Sequence, residues 1–196
     1  MDAHDAPGST VEFAHEEYRS MRTTIQQRGS LRVVVALVAW CAWAGLSLFI
    51  WTNTLPPLAG LIPFLVLVGA FELVLALHTG VERIGRYVQV VFENGSTAPP
   101  AWEHVAMSMG PRWLSPGGLD PLFSVVFLFA VLLNALPAIA AGSAVEIAAA
   151  GITHSALAFR IVTARRFVAR QRLHDLAALQ QVISSNSLVS KIQQGR

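Results

Sequence analysis

Charge is scarce in this chain of 196 residues: Asp, Glu, Lys and Arg together make up 13% of it, where a water-soluble domain carries about 25%. Apolar residues make up 54%, and the mean hydropathy is +0.52. This deficit excludes a water-solvated globule, a disordered regulator and a nucleic-acid binder, because none could solvate so much apolar surface. It points to an integral membrane protein, with the lipid bilayer as its first partner. Lysine is nearly missing as well. Lys191 stands alone beside thirteen arginines, and the net charge is only +2. So lopsided a choice of base reads as genomic rather than functional.

Cysteine is represented by Cys41 alone, inside an apolar run. One thiol permits no intramolecular disulfide, and it excludes thiol-relay enzymes and cysteine zinc sites, which need pairs or clusters. Cys41 reads as a small packing residue. A removable signal peptide is not expected: the first apolar run begins near Leu31 behind a polar, helix-patterned stretch, and no small-residue cleavage site ends it.

Catalytic constellations are missing too. The chain has no Gly-rich phosphate loop, no HExxH motif and no paired-aspartate motif. A carboxylate-bridged di-iron bundle wants two Glu-x-x-His motifs, and none occurs within the apolar runs. A Ser/His/Asp arrangement would have to rely on His154 with Glu72. No residue is assigned a catalytic role, and the chain reads as a non-enzyme.

What the sequence has in abundance is long apolar runs. A hydrocarbon core of about 30 Å needs about 20 apolar residues per helix, and Val33–Trp51, Pro57–His78, Pro121–Ala141 and Ala144–Val162 meet that length. The expected fold class is therefore all-α: an integral membrane bundle of four transmembrane helices with cytoplasmic amphipathic helices. Residues 1–30 form an N-terminal amphipathic helix, residues 31–164 the membrane domain with a cytoplasmic insert at 79–120, and residues 165–196 a C-terminal helix.

Arginine sets the orientation. Arg19, Arg22, Arg28 and Arg32 precede the first span; Arg83, Arg86 and Arg112 lie between the second and third; Arg160, Arg165, Arg166, Arg170, Arg172, Lys191 and Arg196 lie at or beyond the end of the fourth. The connections Thr52–Pro56 and Gly142–Ser143 have no basic residue. The positive-inside rule then places both termini in the cytoplasm and the chain in a plasma (inner) membrane. The sequon Asn94-Gly95-Ser96 falls on the cytoplasmic side and is discarded.

Local signals agree with these spans. Pro56-Pro57 opens the second, Asp120-Pro121 the third, and Ser143-Ala144-Val145-Glu146 is a capping box for the fourth. Trp51, Trp102 and Trp113 suit an interfacial belt. Val11, Ala14, Tyr18, Met21 and Ile25 make a helical apolar seam, with Ser9 and Glu12 as its cap; Leu173, Leu176, Leu179, Val182 and Ile183 make a second. The seams are expected to pair with each other or with a neighbouring protomer, the alternative being to lie on lipid headgroups. The apolar face of the second span continues through Val81, Ile84, Val88 and Val91 to Glu93, and Asn94–Pro100 breaks it. Ala101–Met109, with Glu103 and His104, reads as a short interfacial helix, followed by a Gly/Pro-rich loop to Asp120.

Ionisable residues inside a span cost about 2.5 to 3.5 kcal/mol near the bilayer centre, so each is a candidate site. Glu72 can be a proton or cation site, or an interhelical hydrogen bond. His154 falls near the depth of Glu72 when counted from the inner ends of the spans, so the two can touch. His154 can equally bond Asn134 or Thr153, and Asn134 can satisfy the carbonyl freed by Pro137. His78, Glu82 and Arg83 mark a cytoplasmic mouth, with Arg160 at a similar depth and able to pair with Glu82. Glu146 is accounted for by its capping box.

Two functional readings follow, from different classes. In one the chain is a non-catalytic membrane subunit or scaffold whose cytoplasmic helices dock partners or protomers. In the other it is an oligomeric ion channel or proton-linked transporter, with Glu72, His154 and Asn134 as the membrane site and His78, Glu82, Arg83 and Arg160 at its mouth. Either implies a homo-oligomer or a partner in a membrane complex. No cofactor is required; haem or a metal at His78 or His154 is the remaining option, and their unequal depths argue against one haem between them.

Overall fold

The computed structural model describes residues 7–93 and 121–194, and within them it is helical throughout apart from short turns, with no strand. The chain runs as α1 (Pro7–Thr52), a 3-10 turn (Pro57–Gly60), α2 (Leu61–Val88) closed by a π turn (Gln89–Glu93), α3 (Pro121–Ala141) and α4 (Ala144–Gln194). The insert readings at Asn94–Asp120, including Trp102, Glu103, His104, Trp113 and the Asp120 cap, lie outside the described residues.

All four helices are long and apolar enough to cross a membrane. At 1.5 Å per residue, the 21 residues of α3 make about 31 Å, one hydrocarbon thickness. The 46 residues of α1 and the 51 of α4 reach about 69 and 76 Å. Each of these two is one unbroken helix. Nothing interrupts α1 through Gln27-Arg28-Gly29-Ser30, nor α4 through its arginine cluster. Ser9 already lies inside α1, so it is not the residue that starts it.

Turn chemistry joins the helices into two hairpins with their short connections at one end of the bundle. Between α1 and α2 the chain forms a Schellman turn. Leu55 N–H donates to Ile50 O at 3.2 Å and Thr54 N–H to Trp51 O at 3.3 Å, with Thr54 left-handed at φ 49°. Pro56 then caps the 3-10 turn, with Pro57 at its first position. Between α3 and α4, Ser143 N–H donates to Glu146 Oε2 at 2.7 Å, and Glu146 N–H to Ser143 Oγ at 3.4 Å. That is the reciprocal capping box.

α2 is the central helix, packed against α1 on one side and α3 and α4 on the others. The core is built from Leu67, Phe71 and Val74 of α2, Phe127 and Val131 of α3, Ile161 of α4 and Trp43 of α1. Phe71 and Phe127 meet edge to face at 5.5 Å. The outward faces are equally apolar. Leu65, Leu132, Ile152 and Phe159 are each about two-thirds or more exposed. A soluble four-helix bundle turns polar residues outward; over the spans this one turns Leu, Ile, Val and Phe.

At the far end, among the described residues, the extensions of α1 and α4 both lie on α2. The Tyr18 ring meets Phe92 at 5.7 Å, and Tyr87 Oη donates to Glu17 at 3.3 Å. Asp175 of α4 reaches Arg86 of α2. The α1 seam (Ala14, Tyr18, Met21, Ile25) is half-buried here. Leu176 and Leu179 of α4 are also half-buried, whereas Leu173 and Val182 remain exposed.

Candidate functional site

Asn134 of α3 bonds at once to α1, to the start of α2 and to α4 toward the turn end. Its Oδ1 accepts from Trp43 Nε1 of α1 at 2.9 Å. Its Nδ2 donates to Gly60 O, at the start of α2, at 3.0 Å, and faces His154 Nε2 of α4 at 3.1 Å. The other His154 ring nitrogen, Nδ1, lies 2.7 Å from Ala150 O. A carbonyl can only accept, so Nδ1 carries the proton, and Nε2 is free to accept from Asn134. The ring is thereby neutral, with both nitrogens engaged, and it stacks on Phe64 at 4.4 Å. Asn134 thus binds a neighbouring helix and not the carbonyl that Pro137 leaves free.

Glu72 does not meet His154. Its partner is Arg160, whose Nε lies 2.8 Å from Oε1 and whose Nη2 donates to Oε2 at 2.9 Å. This is the two-pronged guanidinium–carboxylate geometry. The pair is only partly covered, with 42% of the Arg160 side chain and 44% of the Glu72 side chain exposed. His154 is level with Phe64, eight residues and about 12 Å before Glu72 along α2. Depths therefore match when counted from the turn end. Glu72 is the sixteenth residue from Pro57 and Arg160 the seventeenth from Ala144. Short turns fix that end, whereas α2 and α4 run on beyond the apolar zone at the other.

His78 lies six residues further along α2, buried, with Arg32 Nη1 of α1 donating to its Nδ1 at 2.8 Å. Arg28 crosses Gly80 so closely that a Cβ there would stand 2.7 Å from its Nη1. Six residues on, Arg86 is 1% exposed yet charged. Its Nη1 donates to Glu82 at 3.1 Å and its Nη2 to Asp175 of α4 at 2.9 Å. Arg83 Nε stands 3.6 Å from the same Asp175 oxygen.

The expected mouth residues are therefore divided. Glu82 and Arg83 join one cluster, His78 pairs with Arg32, and Arg160 lies deeper with Glu72 rather than with Glu82. Sequence reasoning did not single out Trp43, Arg86 or Asp175 as site residues. Glu82-x-x-x-Arg86 was visible as an i, i+4 pair; nothing local marks Asp175 as its third member. Among the described residues, no three His, Cys, Asp or Glu side chains converge as metal ligands do.

One large cleft, about 630 Å³, opens between α1 and α3 at the turn end, with Trp43, Ile50, Trp51, Leu133 and Pro137 among its lining. It is apolar and lies away from Glu72. No protein-family model, curated protein or solved structure matches the chain.

Proposed function

We propose that this chain is a non-catalytic membrane scaffold subunit. Its four helices span a plasma (inner) membrane with both ends in the cytoplasm, and the extensions of α1, α2 and α4 form a stalk that docks a partner. The observation that carries this reading is the clasp at Arg86. A guanidinium that is almost wholly buried and shared between Glu82 and Asp175 joins two helices beyond the apolar zone. A buried charge is tolerated only when so paired, and here it locks α4 to α2 well past the bilayer. Arg19, Arg22, Arg28, Arg83, Arg86, Arg166, Arg170 and Arg172 all belong to this end, which supports a cytoplasmic stalk.

The polar groups of the spans support the same reading. The Asn134 hub ties four elements together, and Glu72 is held by Arg160. A transport pathway would want these groups along one wet route. They lie instead at separate levels, each with a protein partner, so bundle cohesion is the role the geometry favours. The groove beside Arg83, Tyr87, Asp175, Leu179 and Val182 offers the stalk a surface for a partner helix.

The test is affinity purification from detergent-solubilised native membranes. The full chain should retain a stoichiometric partner that a chain lacking Arg172–Arg196 does not. Retrieval of the same proteins by the truncated chain overturns the docking role.

A further inference from the structure

We propose that the face of α2 and α4 bearing Glu72 and Arg160 is a homodimer interface, in which a second copy sets its own Arg160 against Glu72 and its own Glu72 against Arg160. This inference rests on the membrane reading above.

The argument begins with depth. Glu72 precedes His78 by six residues, so the pair lies about 9 Å inside the boundary that Arg32 and His78 mark. Nearly half of each side chain is uncovered there. In water such exposure is ordinary. In hydrocarbon it leaves charged oxygens and N–H groups facing lipid tails, which intramembrane charges avoid by facing a bundle interior or another protein. Arg160 could reach toward headgroups. It is instead held in place by both prongs on Glu72.

Geometry selects the occupant. α2 and α4 both run from the turn end to the far end, side by side, and carry their opposite charges at one level. A two-fold axis along the bilayer normal keeps that level and exchanges left for right. It therefore lays α4 of the second copy against α2 of the first, and each Arg160 meets the other copy's Glu72. A face with one charge of each sign is complementary to itself, as an isologous interface requires. The residues beside the pair permit close approach. Gly69 has nothing within 4 Å of its Cβ position, and Ala76 and Ala156 are exposed small residues on the two helices. Small residues are what allow membrane helices to approach backbone to backbone.

The test labels Cys41, which is exposed on α1, with donor or acceptor dye and reconstitutes the two pools together in vesicles of zwitterionic and anionic lipid. Energy transfer that survives progressive dilution with lipid is expected for the natural chain. It should fall to the level of random encounter in Glu72→Ala/Arg160→Ala. Ala156→Phe should abolish it too, with helicity and detergent melting unchanged, because Ala156 is exposed within one copy. Leu132→Phe, on the outer face of α3, should leave it intact. Transfer lost on dilution of the natural chain overturns the proposal, as does transfer that persists in both interface variants. An alkaline wash separates the two failures. A chain stripped from vesicles contradicts the membrane reading itself; a chain retained but monomeric contradicts only the dimer.

Discussion

Arg160 of α4 grips both carboxylate oxygens of Glu72 on α2, at 2.8 and 2.9 Å, across 88 residues of chain. The pair fixes the relative height of two parallel helices. Replacing one partner leaves the other charge alone among apolar side chains. Glu72→Gln should lower stability in detergent by about 1–2 kcal/mol, below the mid-bilayer cost because Arg160, once released, can reach toward the headgroup layer. Glu72→Leu/Arg160→Leu should recover most of that loss, since removing both charges removes the desolvation problem. Thermal unfolding of the three variants in one detergent checks the order.

The Asn134 hub predicts a graded series. Trp43→Phe removes one donor and leaves one acceptor lone pair empty, for about 0.6 kcal/mol. Asn134→Leu deprives Trp43 Nε1, Gly60 O and His154 Nε2 together, for about 2 kcal/mol or more. Unfolding by graded addition of a denaturing detergent should rank them in that order. Equal effects would show that the hub does not act as one unit.

How far these features were legible depends on how local they are. The four long apolar helices, the Pro56-Pro57 start and the Ser143–Glu146 capping box are each written in one contiguous stretch of sequence, and hydropathy and turn chemistry reveal them. Register does not follow from such signals. Counting depth from the inner ends places His154 beside Glu72; the structure counts from the turn end, because only there do both helices stop. Asp175 meets Arg86 across 89 residues, and no spacing rule connects them. Tyr18 and the α1 seam were legible as an apolar face, but the choice of α2 as its partner is a tertiary outcome.

The clasp at Arg86 makes the stalk testable. Arg86→Met leaves Glu82 and Asp175 facing each other without their shared cation, a loss of about 3–5 kcal/mol by analogy with broken buried pairs. The effect should be confined to the far end. Amide exchange should rise in α4 beyond Arg172 and in α2 beyond Glu82, while the core around Phe71 and Ile161 keeps its protection. Uniform loss of protection would place the clasp at the centre of folding rather than in the stalk.

The two short turns should respond in opposite ways to glycine chemistry. Thr54 holds a left-handed conformation that costs a branched residue about 1–2 kcal/mol. Thr54→Asn, which keeps a side chain suited to that region, should raise the melting temperature. Gly142→Ala should lower it, because its Cβ would overlap the Ala138 carbonyl. A pair of thermal melts decides both.

The most direct measurement of the central claim is proton and cation flux in proteoliposomes holding the purified chain, followed with a pH-sensitive and a cation-sensitive dye. If the polar groups of the spans hold the bundle together, flux should match that of empty vesicles, for the natural chain and for Glu72→Gln alike. Flux above that baseline that Glu72→Gln abolishes, with the variant still folded and inserted, would contradict the scaffold account and make Glu72 a transport residue.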